Sequence, residues 1–248
     1  MKAFDIEFYG GSKEQLIDEI VDVSTQSFSY IVTPNVQHVV QLEHDEALKQ
    51  AYAKARHRIC DSRVLLPLLR AANVNLNDAI PGSTLTEDLI RLADRHRWNV
   101  CVIGCEPGNM DRLRHRFPGI SFHHYWPAMG FIKDEQAVQA CVDFVARHPS
   151  RLVILALGCT TQEVMAQRLL ESGNCTGVGL CVGGSLNFLA GAVPRAPRWV
   201  QQFSLEWLHR ICTEPKRLTG RYARDAVRFL PILVRHLKQS TFTWGARQ

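Results

Sequence analysis

Short apolar runs alternate with stretches of helical period along most of this chain, and that rhythm predicts its elements. Apolar or β-branched runs predict strands at Phe4–Phe8, Ser29–Thr33, Arg58–Cys60, Asn99–Gly104, Ile120–His124, Leu152–Gly158 and Gly177–Val182. Helical spacing of apolar residues predicts helices at Ser12–Ser24, Val36–Ala55, Val64–Ala72, Thr84–His96, Asn109–Arg116, Asp134–Arg147 and Gln162–Ser172. Strands that alternate with helices and are apolar throughout, such as Leu152–Gly158, belong to parallel sheets covered on both faces. The expected fold class is α/β, a mainly parallel Rossmann-like sheet with flanking helices and a basic helical C-terminal appendage.

The pattern changes near Pro194. From Arg195 onward, arginines recur among aromatics and prolines, with 11 Lys/Arg against 3 Asp/Glu. The whole chain carries +5, so a mildly acidic body ends in a strongly basic tail. We divide it into an α/β core at 1–194, a basic helical appendage at 195–240 and a disordered tail at 241–248. In the appendage Arg221, Arg224, Arg228, Arg235 and Lys238 share one third of a helical wheel, and Tyr222, Ala226, Phe229, Leu230, Leu233, Val234 and Leu237 fill most of the other side. A helix kinked or restarted at Pro231 is expected. It packs on the body or faces an anionic partner, and the charge favours the anion: phosphate groups, a membrane surface or nucleic acid.

Composition excludes several classes. The N-terminus places Asp5, Glu7 and Glu14 where an export signal needs an apolar run. Cys175–Pro194 is free of charge for 20 residues, but its five glycines predict a buried strand and a glycine loop rather than a membrane span. The 8 cysteines include no C-x-x-C pair and sit mostly in apolar text, which predicts a reduced protein without disulfides or a cysteine metal site. Among the 10 histidines only His123-His124 cluster, and neighbours on a strand face opposite ways. No metal site and no cofactor are expected.

In α/β folds, ligands bind beyond the carboxyl ends of the strands. Small, polar and glycine residues collect there: Thr33-Pro34-Asn35, Asp61-Ser62, Gly104–Gly108, Gly158–Glu163 and Gly183-Gly184-Ser185. Such loops offer N–H groups and helix N-termini to a diphosphate. Asp61 either caps the following helix or serves as a general base. Thr160 and Glu163 have capping-box spacing, while Gln162 is free to touch a ligand. Gly177-x-Gly179-x-x-x-Gly183 is one residue too long for a dinucleotide fingerprint.

These positions together resemble the WecG/TagA/CpsF glycosyltransferases, glycosyltransferase family 26, over nearly the whole chain. The blocks that carry the resemblance are Phe188-Leu189-Ala190-Gly191, Arg195-Ala196-Pro197-Arg198-Trp199, Leu205-Glu206-Trp207-Leu208-x-Arg210, Glu214-Pro215-x-Arg217-Leu218 and Arg221-Tyr222. Thr33-Pro34-Asn35, Asp61, Pro81-Gly82-Ser83 and Gly158 with Gln162-Glu163 match N-terminal blocks of the family. Departures are Ser62-Arg63 after Asp61, Thr84 for an aspartate, Thr160 for a proline and Asn187 for an aspartate.

The resemblance implies a hexosyltransferase that moves a sugar, of N-acetylmannosamine, mannosaminuronic acid or glucose type, from a UDP-sugar with inversion. The acceptor it implies is a polyprenyl-diphosphate-linked sugar at the cytoplasmic face of the plasma membrane. Asp61 is then the catalytic residue. Thr33, Asn35, Gln162, Glu163, Gly183, Gly184, Arg217, Arg221 and Arg224 are the substrate-binding residues. The chain holds no Asp-x-Asp, so arginines rather than a metal are expected at the departing diphosphate. The expected partners are donor, acceptor and an anionic membrane surface, with no nucleic acid; a homo-oligomer is left open. A nicotinamide oxidoreductase lacks its third glycine after Tyr9-Gly10-Gly11-Ser12, and a nucleic-acid binder lacks a recognition motif.

Overall fold

The computed structural model describes residues 1–74, 76–197, 200 and 206–245, and the side chains of 217 and 238–245 also lie outside the description. Six parallel strands form one sheet in the order β4-β3-β8-β7-β5-β6. They are β3 Ser29–Val32, β4 His57–Arg58, β5 Asn99–Gly104, β6 Ser121–Tyr125, β7 Leu152–Ala156 and β8 Val178–Cys181. The order brings chain-distant strands together at the centre, with Ile31 opposite Leu180 and Ile154 opposite the same Leu180.

Strand residues alternate between two apolar layers. Tyr30, Val32, Cys101, Ile103, Val153 and Leu155 face one cluster. Ile31, Val100, Val102, Leu152, Ile154 and Leu180 face the other. The second layer is completed by α1 Lys13–Val23, α5 Gly82–Arg95, α6 Pro107–Arg116 and α9 Ser185–Leu189. The first is completed by α2 Val36–Leu42, α3 Glu46–Lys54, α4 Leu65–Ala71, α7 Glu135–Arg147 and α8 Thr161–Ser172. A sheet buried on both faces explains why its strands read as continuous apolar runs.

Three expectations are corrected. Phe4–Phe8 is not a strand of the main sheet. Lys2–Ala3 (β1) and Ile6–Glu7 (β2) pair antiparallel around Phe4 and Asp5, whose φ angles are 50° and 56°. Two left-handed residues are what a tight hairpin turn of matching twist requires. Val36–Ala55 is two helices, because the Asp45 side chain accepts the Leu48 amide at 3.0 Å and restarts the chain as α3. The apolar run after Cys175 holds β8, as expected, but the glycine loop expected after it opens the short helix α9; among the described residues no helix is long and apolar enough to cross a membrane.

The appendage forms α10, Glu206–Thr213, and α11, Pro215–Gly245. α11 runs through Pro231 as one helix rather than restarting there. Phe229 and Ile232 enter the first apolar cluster. Phe4 of the hairpin packs against Phe229 and His236, with ring centroids 5.6 and 4.5 Å apart. Arg235 pairs with Glu43 just past α2 at 2.6 Å.

Candidate active site

Asp61 lies just beyond β4, on a half-buried loop at the carboxyl edge of the sheet. Its Oδ1 accepts the Gly82 amide, the first N–H of α5. The start of α4 is served instead by Ser62, whose hydroxyl accepts the Val64 and Leu65 amides at 3.2 Å. The N-cap reading of Asp61 is therefore replaced by a carboxylate drawn to the N-terminus of α5. Glycine at 82 is what permits this approach. A Cβ there would lie 3.2 Å from Thr33 Cγ2, 3.3 Å from Asp61 Oδ1 and 3.4 Å from Val182 Cγ1. The ends of β3, β4 and β8 and the head of α5 thus converge on one point.

Burial pushes the Asp61 carboxyl up to about 6. The Gly82 hydrogen bond opposes that rise, as do the positive charges of Arg210 and His38, and Glu206 adds to it. Arg210 and Glu206 both belong to α10, so the appendage lies within electrostatic reach of the carboxylate. The Arg210 guanidinium sits 4.9 Å from the Phe188 ring centroid of α9, which holds α10 over this edge.

The other expected residues divide between lining and support. Thr33 is buried, and its hydroxyl donates to the Cys181 carbonyl at 2.8 Å, tying β3 to β8. Asn35 caps α2 by accepting the Gln37 amide at 3.0 Å and the His38 amide at 3.4 Å. Gln162 bridges two groups: its Oε1 accepts the Gly183 amide and its Nε2 donates to Glu163 Oε1, both at 2.8 Å. Gly183 itself takes φ +53°, and Gly184 beside it is exposed. Glu163 has no exposed surface, and Thr160 makes no side-chain cap, so the capping-box reading fails. The Glu163 carboxylate turns inward, where its Oε1 meets His38 Nε2 at 3.1 Å.

His38 is the principal residue that sequence reasoning missed. It stands 125 positions from Glu163, so no spacing rule could pair them. Burial opposes a charge on His38, but Cys159 and Glu163 beside it raise its pKa well above the ordinary value. One ligand atom each from His38, Cys159 and Glu163 lie within 4.8 Å of one another. A second missed contact is Asn109 of α6, which donates to Asn187 of α9 at 3.2 Å.

Of the appendage arginines, Arg217 has its side chain outside the described residues. Arg221 is half-buried and lies 5.2 Å from the Tyr222 ring centroid, while Arg224 is exposed. Both act on Asp225, a buried carboxyl that burial raises and that Arg221, Arg224, Arg228 and His38 lower. α11 therefore passes near the His38 side of the site. The motif residues Arg198, Trp199 and Leu205 lie outside the described residues. Arg195 is anchored at the head of α5 by Glu87 at 2.8 Å and by Thr84 at 2.7 Å.

The sequence profile described as the Glycosyl transferase WecG/TagA/CpsF family matches residues 1–242. The chain belongs to that family. Among proteins similar to this WecG/TagA/CpsF chain is the N-acetylglucosaminyldiphosphoundecaprenol N-acetyl-beta-D-mannosaminyltransferase of Bacillus spizizenii, 27% identical over 194 residues. That match covers 76% of this chain and 73% of the relative. Enzymes of the same description from Staphylococcus aureus are also similar. The one from strain NCTC 8325 / PS 47 is 25% identical over 223 residues, covering 86% of this chain and 84% of its own. This member of the WecG/TagA/CpsF family is thus a glycosyltransferase built on an α/β sheet, with its polar residues gathered where such sheets open to ligands.

Proposed function

We propose that this glycosyltransferase moves an N-acetylmannosamine-type sugar from a UDP-sugar donor to a polyprenyl-diphosphate-linked sugar, with inversion, in cell-surface polysaccharide synthesis. The observation that carries the reading is Asp61: a carboxylate at the carboxyl edge of the sheet, fixed by the Gly82 amide and raised to about 6. A base with a pKa near 6 is ionised at neutral pH yet retains proton affinity, which suits it to take the acceptor hydroxyl proton. Inversion is a single in-line displacement, so one base and one stabilised leaving group suffice.

The departing UDP needs positive charge and N–H donors. The Gly183-Gly184 turn, held by Gln162, supports a donor site at the end of β8. Arg210 with Arg217, Arg221 and Arg224 of the appendage are the candidates for the diphosphate, and the absence of Asp-x-Asp from the sequence favours them over a metal. Glu163, without exposed surface, acts in this reading through Gln162 and His38 rather than by touching substrate.

The proposed acceptor is carried by a lipid, and α11 suits a place at the cytoplasmic face of the plasma membrane. Its outward face shows Val227 at 74% and Leu230 at 61% exposure among the arginines. The test is UDP release from UDP-N-acetylmannosamine with a short-chain lipid-diphosphate N-acetylglucosamine acceptor. Release that depends on both substrates and is lost in Asp61→Asn supports the reading. Release from no UDP-sugar tried, with a folded protein, would overturn it.

A further inference from the structure

We propose that His38, Cys159 and Glu163 form a binding site for a zinc-class divalent cation. The three come from separate elements: the first turn of α2, the loop after β7 and the first turn of α8. They supply one nitrogen, one sulfur and one oxygen, all within 4.8 Å. Zinc accepts that mixture, whereas magnesium and calcium take oxygen ligands. In a tetrahedral site with bonds of about 2.1 Å, neighbouring donors lie roughly 3.4 Å apart. His38 Nε2 and Glu163 Oε1 already stand at 3.1 Å. Only the thiol must draw in, by at most about 1 Å for a zinc–sulfur bond of about 2.3 Å. Cys159 is partly exposed, unlike the two buried partners, and so keeps the freedom to move.

An independent observation points the same way. His38 Nδ1 and Glu163 Oε2 are buried and have no hydrogen-bond partner. Buried polar atoms are nearly always bonded, so two orphans on adjoining side chains mark a place fitted for a further group. A cation that takes Glu163 through Oε2 relieves one of them. The carboxylate is also oriented from outside, because Gln162 Nε2 donates to its Oε1 at 2.8 Å. Metal-binding carboxylates typically have such an outer hydrogen bond. Three protein ligands leave the fourth position to water or a small ligand entering past Cys159, the pattern of open zinc sites. Gln162 also holds the Gly183 amide, so the cation would stiffen the turn between β8 and α9. The proposal rests on this cluster alone and stands or falls apart from the transfer reaction.

The full-length reduced protein is titrated with zinc in competition with a chromophoric chelator, and separately with magnesium. The expected result is one equivalent of zinc bound, with no competition from magnesium in large excess. Cys159→Ser should weaken zinc by at least about tenfold. Cys212→Ser, at the exposed cysteine of α10, should leave it unchanged. In the unaltered protein zinc should also slow alkylation of Cys159 by iodoacetamide, read by peptide mass, which keeps the test decisive if the serine variant misfolds. The proposal is overturned by the absence of stoichiometric zinc binding, by equal binding of magnesium, by unchanged affinity in Cys159→Ser, or by alkylation of Cys159 at the same rate with and without zinc.

Discussion

The carboxyl edge of the sheet and the C-terminal helix carry charge in opposite ways. At the sheet edge three polar side chains are locked: Thr33 to Cys181, Gln162 to Gly183 and Glu163, Asp61 to Gly82. On α11 the basic side chains stand among exposed apolar ones, with Val227, Leu230 and Val234 turned to solvent. Fixed dipoles suit bond-making, where reorganisation costs rate. A loose basic and apolar surface suits adsorption, where shape need not be exact. The helix joins the two regimes, because its other side buries Leu218, Phe229 and Ile232.

The sharpest way to break this contrast is at Asp61. Asp61→Asn should lower turnover by roughly a hundredfold or more, the scale of general-base loss. It should not lower thermal stability at pH 8, since an amide oxygen still accepts the Gly82 N–H. The folded pKa, about 6, lies above the ordinary aspartate value of 3.8. The folded state thus binds the proton more tightly, and the ionised carboxylate costs stability above pH 6. Asparagine removes that cost, so a melting scan showing a large loss at pH 8 would mean the carboxylate is structural. In the wild type, kcat/KM should rise as pH rises through about 6, as the base loses its proton. A flat profile between pH 5 and 7.5 would exclude Asp61 as the titrating base.

Phe229→Ala comes next. Phe229 is buried against Phe4, so its loss should cost about 3–5 kcal/mol of unfolding free energy in a denaturant titration. Removal of the chain from Glu214 should destabilise the core as well, because that deletion strips Leu218, Phe229 and Ile232 from buried positions. A truncated core as stable as the full chain would show that α11 is not docked as described.

Gln162→Ala is smaller, at about 1–3 kcal/mol, because the Gly183 amide loses a buried partner. Its KM for the donor should rise while Asp61-dependent pH behaviour is kept. An unchanged donor KM would remove the β8–α9 turn from the donor site. Smallest in stability is Val227→Ser with Leu230→Ser, within about 0.5 kcal/mol for exposed positions. That pair should weaken adsorption to anionic vesicles, measured by sedimentation, and the wild-type adsorption should fall as salt rises. Unchanged vesicle binding in the pair would make the outward face something other than a lipid contact.

The alternation of apolar runs and helical periods was enough to predict the sheet, its parallel sense and most element limits. Buried parallel strands leave no polar face to hide in, and helices announce their core side at each turn. The positions of Asp61, Gln162 and Gly183 at strand ends were legible for the same reason. The sequence also showed that basic charge gathers from Arg195 onward, because net charge needs no coordinates.

Other features depended on the fold. Asp45 ended α2 early and Phe4-Asp5 closed a hairpin, both through local hydrogen bonds that outweigh apolar periodicity. The apolar side of α11 was read as one face, yet Phe229 turns inward and Leu230 outward, because only packing against Phe4 selects the buried stripe. His38, Cys159 and Glu163 met because the order β4-β3-β8-β7-β5-β6 sets β3 and β7 on either side of β8. Chain distance is blind to that neighbourhood: spacing rules read contacts a few residues apart, and a sheet whose central strands come from both halves of the chain makes its chemistry across 125.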